Sequence, residues 1–455
     1  MMTSNLSSQI WAEGNTNLVE LLSPAGNLEK LKIALAYGAD ACYGNVSHFS
    51  LRGRAAKQFT YESFAEAVDY THAMGKKFYA TVNGFPFNSQ IDALKKHLSR
   101  LADIGVDALI VATPGVLRLA QKIAPQIPLH LSTQANVLNV LDAQCYYDMG
   151  VKRIIAAREM SLNDLCEVKS ALPHLEIEIF VHGSMCFAFS GRCLISALQH
   201  GRVPNRGSCA NDCRFDYTYL IQPPGSATMF DAKDCAHFVR EPDTGVVMQL
   251  VEEEGVGTHI FNAKDLNLSA HIEELIKSGA IDAFKIEGRT KSNYYVATTT
   301  KTYHAAISDT MRHDFTPKRY ADELNTLKNR GFTDGYIIHR PFVRLDTQNH
   351  QTALSDGNFA VVAQISEKGE AFARGTVRAN ESYEIVSPLG ITPEIVSNEI
   401  GTIYHFEGRF YVRLHRLCTQ SGEEIESIHS GNTNAFMLPA QLAAFSFLRT
   451  QTKET

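Results

Sequence analysis

The stretch from Glu176 to Arg214 reads EIEIFVHGSMCFAFSGRCLISALQHGRVPNRGSCANDCR, and it joins a strand pattern to a group of cysteines. Its first residues, Glu176–Val181, have the apolar and β-branched composition of a buried β-strand that ends at His182-Gly183. Four of the nine cysteines in the chain follow this strand. They are Cys186, Cys193, Cys209 and Cys213. The stretch therefore predicts a sulfur-rich site at the end of one strand of a larger sheet.

Four neighbouring thiols favour an inorganic cofactor. Thiolate sulfur is a soft ligand that suits zinc, copper(I) and iron–sulfur clusters. Structural zinc sites tend to use two closely spaced cysteine pairs, whereas Cys186–Cys193 and Cys209–Cys213 are more widely spaced. The spacing favours an iron–sulfur cluster, which four cysteines usually hold. Two other interpretations stay open, namely small buried packing residues and a disulfide, which would need an oxidising compartment.

The composition is that of an ordinary globular protein. The 455 residues are 44% hydrophobic and 20% charged, with a formal net charge of −6, and this length suits one large domain and a small one. A nucleic-acid partner would have to be held by a local basic patch, because the whole chain is acidic. Residues 1–17 are polar and predict a disordered tail without the apolar core of a signal peptide. We therefore expect a cytoplasmic protein.

A short loop pattern recurs along the chain. A helix-like stretch ends in Gly, a small residue and often Asp follow, and an apolar strand begins. Glycine suits the left-handed residue that ends a helix. The pattern appears at Tyr37–Ala41, Ile104–Ala108, Met149–Lys152 and Ser278–Ala283. Repeated units of this kind are typical of βα barrels and doubly wound sheets.

Eight strand patterns fit this repeat. They are Val19–Leu22, Ala41–Tyr43, Lys77–Val82, Ala108–Val111, Leu129–Leu131, Arg153–Ala156, Glu176–Val181 and Ala283–Ile286. Because none is followed by a Gly-rich dinucleotide turn, we favour an α/β fold with a (β/α)8 TIM-like barrel over residues 18–310. A cysteine-rich insertion at 183–259 follows strand 7. Residues 311–356 predict a helical linker, and 357–455 predict a small C-terminal antiparallel β-barrel domain.

Polar residues crowd the ends of these strands, where a barrel builds its active site. The group predicts a polar cavity beside the cysteines, although any single member could be a helix cap. The candidates for this cavity are Asn83, Gln134, Arg158, Glu159, His182, Lys285, Glu287 and Arg289.

Residues 178–196, EIFVHGSMCFAFSGRCLIS, resemble the signature of peptidase family U32, the collagenase-like peptidases. Each signature position fits, from Glu178 and Phe180 through Cys186 and Cys193 to Ser196. The likeness extends to ELLSPAGNLEKLKIALAYGADACY, HLSTQANVLN, GSCANDCR and FKIEGRTKSNYY. Within the family the chain is most similar to the branch that carries out prephenate-dependent hydroxylation of tRNA uridine.

This resemblance implies oxygen-independent hydroxylation of the wobble uridine of tRNA to 5-hydroxyuridine. It also implies prephenate as co-substrate and a [4Fe–4S] cluster as prosthetic group. The four cysteines named above are the implied ligands, with Cys235 as an alternative to Cys213. Two other functions stay open, because relatives act on ribosomal RNA or quinone precursors and the family name denotes proteases. The protease function has little support from residues, since the chain contains neither HExxH nor GxSxG.

The implied reaction assigns roles to the candidate residues. Prephenate is a dicarboxylate that needs cations, for which Arg158, Lys285 and Arg289 are candidates unless they pair with Glu159 or Glu287. Candidate acid–base groups are Glu159, Glu287 and His182, and His182 could equally be structural. Asn83 and Gln134 could read the edge of an unstacked uracil. The candidates for tRNA phosphate contacts are Arg192, Arg202, Arg206, Arg214 and Lys291.

Overall fold

A computed structural model describes most of the chain. The described ranges are 19–46, 49–50, 59–186, 263–338 and 357–452, together with short pieces between 188 and 258. The predicted N-terminal tail, 1–17, lies outside the described residues. Among the described residues, no helix combines the length and the apolar character that crossing a bilayer requires.

Eight parallel strands close into a barrel, which confirms the predicted fold. The strands are β1 (Glu20–Pro24), β2 (Ala41–Gly44), β3 (Lys77–Val82), β4 (Ala108–Val111), β5 (Leu129–Leu131), β6 (Arg153–Ile155), β7 (Glu176–Ser184) and, after the insertion, β15 (Ala283–Ile286). Each pairs in parallel with the next, and β15 pairs with both β7 and β1 to close the ring. The alternation of side chains along each strand packs one set into the barrel interior.

Helices cover the outside of the barrel. They are α1 (Leu28–Ala36), α2 (Tyr61–Ala73), α3 (Ile91–Ile104), α4 (Pro114–Ile123), α5 (Val140–Asp148), α6 (Leu162–Ala171), α8 (Ile272–Lys277) and α9 (Asn293–Met311). Side-chain caps at Asn27, Thr60 and Ser161 start three of them. The glycines of the predicted loop pattern all have positive φ, as at Gly105, where φ is 82°.

Two further strands extend the barrel sheet at the cysteine-rich insertion. Strand β14 (Asp265–Asn267) runs antiparallel to the end of β7, and β16 (Phe332–Thr333) runs parallel to β14. Between them in sequence lies α10 (Pro317–Leu324), whose Tyr320 and Leu324 join the barrel core. The described part of the predicted linker, 311–338, is therefore packed onto the barrel. The rest of that segment, 339–356, lies outside the described residues.

The insertion after β7 is described in pieces. It contains the short helix α7 (Ile195–His200) and three antiparallel strand pairs. These are β8 (Leu220–Ile221) with β9 (Phe230–Asp231), β10 (His237–Arg240) with β11 (Val247–Leu250), and β12 (Glu252–Glu253) with β13 (Gly257–Thr258). The insertion also contains a single 3₁₀ turn at Asp212–Arg214. Elsewhere in the barrel region, 3₁₀ turns occur at Asn88–Gln90, Thr133–Ala135 and Ser269–His271.

The C-terminal residues form the predicted antiparallel β domain as a seven-stranded half-barrel. Its strands are β17 (Phe359–Ile365), β18 (Ala371–Ala373), β20 (Ser382–Val386), β21 (Val396–Ser397), β22 (Gly401–Phe406), β23 (Arg409–Leu414) and β25 (Phe447–Gln451). A separate two-stranded ladder joins β19 (Val377–Arg378) to β24 (Ser427–Ile428). The sheet order is β18-β17-β25-β20-β23-β22-β21, with its own apolar core around Ile403, Val412 and Leu448.

Candidate active site at the mouth of the barrel

A cavity opens at the carboxyl ends of the barrel strands. It contains about 1220 Å³ of empty space, a volume that includes the open mouth. Six of the predicted site residues line it, namely Asn83, Gln134, Arg158, Lys285, Glu287 and Arg289. The four predicted cysteines line it as well. The structure therefore brings together the two groups of residues that the sequence places at the ends of different strands.

A buried ion-pair network lies inside the barrel next to Lys285, which lines the cavity. Glu178 on β7 is fully buried, and its Oε1 accepts a hydrogen bond from Lys285 Nζ at 2.7 Å. Its Oε2 accepts from Arg153 Nη1 at 3.2 Å, and the same nitrogen donates to Glu20 Oε1 at 2.7 Å. Burial lowers the pKa of Lys285, while the charge of Glu178 opposes that shift. Glu159 and Glu287 were the predicted alternative partners of Lys285. Lys285 on β15 instead pairs with Glu178 on the neighbouring strand β7.

Phe180 lies between two of the cavity cations. The guanidinium carbon of Arg158 is 4.1 Å from the centroid of its ring, and Lys285 Nζ is 5.6 Å from the same centroid. Arg158 also pairs with Glu287, with 3.8 Å between Nη2 and Oε2. This pair is one of the alternatives that the sequence left open.

Arg289 lies against the wall formed by β2 and β3. Its Nη1 donates to Asn45 Oδ1 at 2.7 Å, to Ser50 Oγ at 2.8 Å and to Thr81 Oγ1 at 2.7 Å. None of these three acceptors was a predicted site residue. Thr81 was detectable, because it is two residues from both Tyr79 and Asn83 and therefore shares their inward direction on β3.

Amide side chains line the side of the cavity near β3 and β5. Asn83 Nδ2 donates to Ser132 Oγ at 3.2 Å, and this oxygen also accepts from the backbone N–H of Gln134 at 3.3 Å. Within the described residues the buried Oε1 of Gln134 has no hydrogen-bond donor. A buried acceptor without a donor is costly, so a ligand N–H group would be stabilised there.

His182 lies away from the cavity that six of the other candidates share. It is buried among the rings of Tyr295, Tyr303 and Phe332, with centroid distances of 5.8, 5.6 and 5.6 Å. Burial lowers its pKa to about 3. His182 is therefore neutral at physiological pH. Glu159 lines a neighbouring recess with Arg158 and Phe189 rather than the main cavity.

Gly183, the residue after His182, allows Glu287 to approach the end of β7 closely. Gly183 has a φ of +114°, and a Cβ atom at this position would lie 2.8 Å from the carbonyl oxygen of Glu287. Any larger residue would push Glu287 out of its place at the cavity rim.

The four cysteines lie at the mouth of the cavity. Cys186 is exposed, and Cys193, Cys209 and Cys213 are half-buried. Cys209 Sγ accepts a hydrogen bond from the backbone N–H of Asn211 at 3.4 Å. Burial raises the pKa of the Cys193 thiol, and the charges of Cys186 and Cys209 act in the same direction. Cys235, the alternative ligand, lies outside the described residues.

The donor atoms at the cavity mouth suit some metal centres better than others. Among the described residues, no three His, Cys, Asp or Glu side chains converge closely enough to hold one metal ion. Four thiolates are the usual ligand set of an iron–sulfur cluster. Four cysteines at one mouth, with a backbone N–H donating to sulfur, fit the ligand chemistry of such a cluster.

Only some of the predicted RNA-contacting cations lie in the part of the chain that the structure describes. Arg192 is exposed at the cysteine-rich mouth, and Lys291 is half-buried with its Nζ 5.4 Å from the Tyr295 ring centroid. Arg202, Arg206 and the side chain of Arg214 lie outside the described residues.

Comparison with known proteins identifies the family. Residues 26–347 match the model of peptidase family U32. The chain is 63% identical over 438 residues to tRNA hydroxylation protein P of Helicobacter pylori, covering 96% of this chain and 100% of that protein. It is 36% identical to tRNA hydroxylation protein P of Escherichia coli, covering 82% and 86% of the two chains. A solved U32 peptidase structure aligns with a TM-score of 0.37 at 12% identity, covering 61% and 95% of the two chains. Because the family model spans more than half of the chain, and relatives this similar are matched over most of their length, this protein belongs to peptidase family U32.

Proposed function

We propose that this protein is a tRNA hydroxylase that converts the wobble uridine to 5-hydroxyuridine, with prephenate as the source of the hydroxyl group. The proposal includes a [4Fe–4S] cluster held by Cys186, Cys193, Cys209 and Cys213. The observation that carries it is the joint lining of one cavity by four thiols, three cations and the amides of Asn83 and Gln134. The relatives named tRNA hydroxylation protein P support tRNA as the substrate.

The cations would bind the carboxylates of the co-substrate. Lys285 lies at the floor, Arg158 at the rim beside Glu287, and Arg289 on the wall beside β2 and β3. Guanidinium groups pair with carboxylates through two parallel hydrogen bonds, which fixes orientation as well as affinity. Three cations around one cavity suit a ligand with two carboxylates.

The amides would hold the uracil. A base must leave its stack before its C5 atom can be reached. Gln134 Oε1, the buried acceptor without a described donor, suits the N3–H group of uracil. Asn83 is on the neighbouring wall and can donate to a uracil carbonyl.

Hydroxylation at C5 sets the balance of the reaction. The C5–H bond of uracil and the C–O bond of the co-substrate break, and a C5–O bond forms. Uracil loses two electrons and a proton, and the carbon that gave up its hydroxyl gains them. When bound, a cluster supplies one-electron redox capacity for such an exchange. Among the residues of the chain, Glu287 lines the cavity and is the carboxylate best placed to accept the proton. The low pKa and the separate location of His182 favour a structural role for that residue.

A basic mouth would hold the tRNA. Arg192 and Lys291, together with Arg202, Arg206 and Arg214, are the candidate phosphate contacts. Phosphate contacts release counterions, so binding by such a patch weakens steeply as salt is added. A flat salt response would contradict this part of the proposal.

Protease activity is the main alternative. A cysteine or serine nucleophile needs a general base, which is most often histidine. Among the described residues that line the cavity there is no histidine. The cavity therefore offers less support for peptide hydrolysis than for binding of an anion and a base.

Nucleoside analysis of tRNA tests the proposal directly. We expect tRNA from a strain that lacks the gene to have lost 5-hydroxyuridine, and the wild-type gene to restore it. Unchanged 5-hydroxyuridine would reject the proposed function. Loss of a modified ribosomal nucleoside or of quinone would instead indicate one of the other hydroxylase functions.

A further inference from the structure

Strand β7 carries two residues that contact the cavity cations and to which the proposed reaction assigns no role. Glu178 and Phe180 are two residues apart, so their side chains leave the strand on the same face. Glu178 contacts Lys285, and Phe180 contacts both Lys285 and Arg158. Both cations line the cavity. One short piece of strand thus touches two of the three cations in the site.

We infer that Glu178 and Phe180 are positioning residues that aim the Lys285 ammonium and the Arg158 guanidinium at a carboxylate bound on the cavity floor. The inference rests on the proposed function, because it takes the anionic co-substrate as the ligand. Neither residue needs to touch that ligand. Glu178 acts through an ion pair, and Phe180 acts through the face of its ring.

The geometry leaves the ammonium able to bind a ligand. An ammonium group has three N–H donors. In the part of the chain that the structure describes, Glu178 Oε1 is the one hydrogen-bond acceptor of Lys285 Nζ. The ring of Tyr43 lies beneath the same nitrogen at 4.2 Å and stabilises the charge without accepting a conventional hydrogen bond. The Lys285 ammonium therefore still has N–H groups that can donate to a ligand in the cavity.

The need for Glu178 follows from burial. Lys285 is 3% exposed, and a buried lysine without a counter-charge tends to lose its proton. Glu178 supplies that counter-charge and is itself held by Arg153, so the carboxylate cannot move towards the ligand site. A neutral lysine would not attract a carboxylate.

Several groups surround the ammonium and set its titration. Glu178 faces it from β7, Tyr43 from β2 and His130 from β5, while Glu287 and Arg289 follow it on its own segment. His130 is buried, and burial holds its pKa well below the ordinary value, so it adds no charge near neutral pH. Glu178 makes the largest favourable contribution to the charged lysine.

Replacement of this carboxylate therefore has a directional effect. Glu178→Gln removes the negative charge that opposes the effect of burial on Lys285, so the pKa of Lys285 falls further. Anion binding requires the protonated lysine and disappears as the pH rises through that pKa. The alkaline limit of binding should move to lower pH in Glu178→Gln.

The test measures prephenate binding by calorimetry to the full-length, anaerobically purified protein from about pH 6.5 to 9.5. We expect Glu178→Gln to bind with at least about ten-fold lower affinity at the upper end of this range, and with much less loss at the lower end. The matched control is Glu20→Gln. It removes a partner of Arg153 from the same network without contacting Lys285, and its alkaline limit should follow that of the wild type.

Phe180→Leu is a second variant that keeps the test informative if Glu178→Gln folds poorly. We expect a loss of affinity of a few-fold across the whole pH range, about what a cation–π contact contributes. Glu178→Asp should recover part of the wild-type profile.

The outcomes separate the inference from the proposed function. Wild-type affinity and pH limit in Glu178→Gln, or equal shifts in Glu178→Gln and Glu20→Gln, would overturn the inference, as would absence of prephenate binding to the wild type. Normal prephenate binding in a protein whose deletion leaves tRNA unchanged would reject the proposed function and leave the inference standing.

Discussion

Arg449 of the C-terminal sheet and Glu323 of the barrel helix α10 form an ion pair, with 2.6 Å between Nη1 and Oε1. Arg449 is only 1% exposed, and its Nη2 also donates to Glu384 Oε1 at 2.7 Å. Tyr294 of α9 joins the same group, and its hydroxyl oxygen accepts a hydrogen bond from Nη1 at 2.7 Å. One guanidinium therefore ties the half-barrel to two helices of the barrel.

Loss of this guanidinium should destabilise the protein strongly. Arg449→Met removes the buried one of the two arginines that pair with both Glu323 and Glu384, and because Arg409 remains, we expect a loss near the lower end of the about 3–5 kcal/mol that breaking a buried pair from one side costs. Equilibrium urea unfolding followed by circular dichroism measures the loss. The matched control is Arg416→Met, which removes an arginine from an exposed pair with Glu424 and should change stability little. Similar losses in the two variants would contradict the prediction.

The acid side of the stability profile should depend on His182. Its pKa is about 3 in the folded protein because of burial, against about 6.5 when unfolded. The unfolded state therefore binds a proton first as the pH falls, and stability is lost below about pH 6.5 by up to about 1.4 kcal/mol per pH unit. We expect His182→Gln to lose less stability than the wild type between about pH 6.5 and 4 in the same unfolding assay. Parallel profiles for the two proteins would show that His182 does not contribute.

Asn83 should matter for turnover rather than for folding. Its amide contacts Ser132 at the cavity wall, and loss of a hydrogen bond to the base should reduce 5-hydroxyuridine formation by about ten-fold or more in Asn83→Ala. Quantification of the nucleoside in tRNA from a complemented deletion strain measures this. Asn163→Ala, at an exposed position on α6, is the control and should retain full modification. Full modification by Asn83→Ala would remove this residue from the site.

The four mouth cysteines should be required for iron. Single Ala variants of Cys186, Cys193, Cys209 and Cys213 should each lower the iron content and visible absorbance of anaerobically purified protein. Cys418→Ala, in the core of the C-terminal domain, should not. Comparison of Cys213→Ala with Cys235→Ala decides which of the two is the fourth ligand. Full iron content in every variant would contradict the cluster.

Much of the barrel was predictable because its strands carry local signals. Strands β3, β4, β5 and β15 begin and end at the residues that the sequence predicts. Each is a short apolar run, and the preceding loop glycine marks the start of two of them. The cavity cations were predictable for a related reason, since residues that follow parallel strands meet at one end of a barrel.

Pairings between distant segments left no such signal. The partner of Lys285 is Glu178, which is 107 residues away in sequence, and nothing near Lys285 indicates this contact. Strand β16 has only two residues, so its addition to the barrel sheet depends on pairing with β14 rather than on its own composition. The location of His182 also depends on rings contributed by α9 and β16.

The antiparallel pairing of Asp265–Asn267 with the end of β7 has a consequence for how the family can diversify. The chain leaves the barrel at Ser184 and returns opposite that same residue, so the two ends of the insertion are fastened together. This pairing isolates the eight strands from changes in the length or sequence of the insertion. The segment between Ser184 and Asp265 can therefore change while the barrel beneath it keeps its structure.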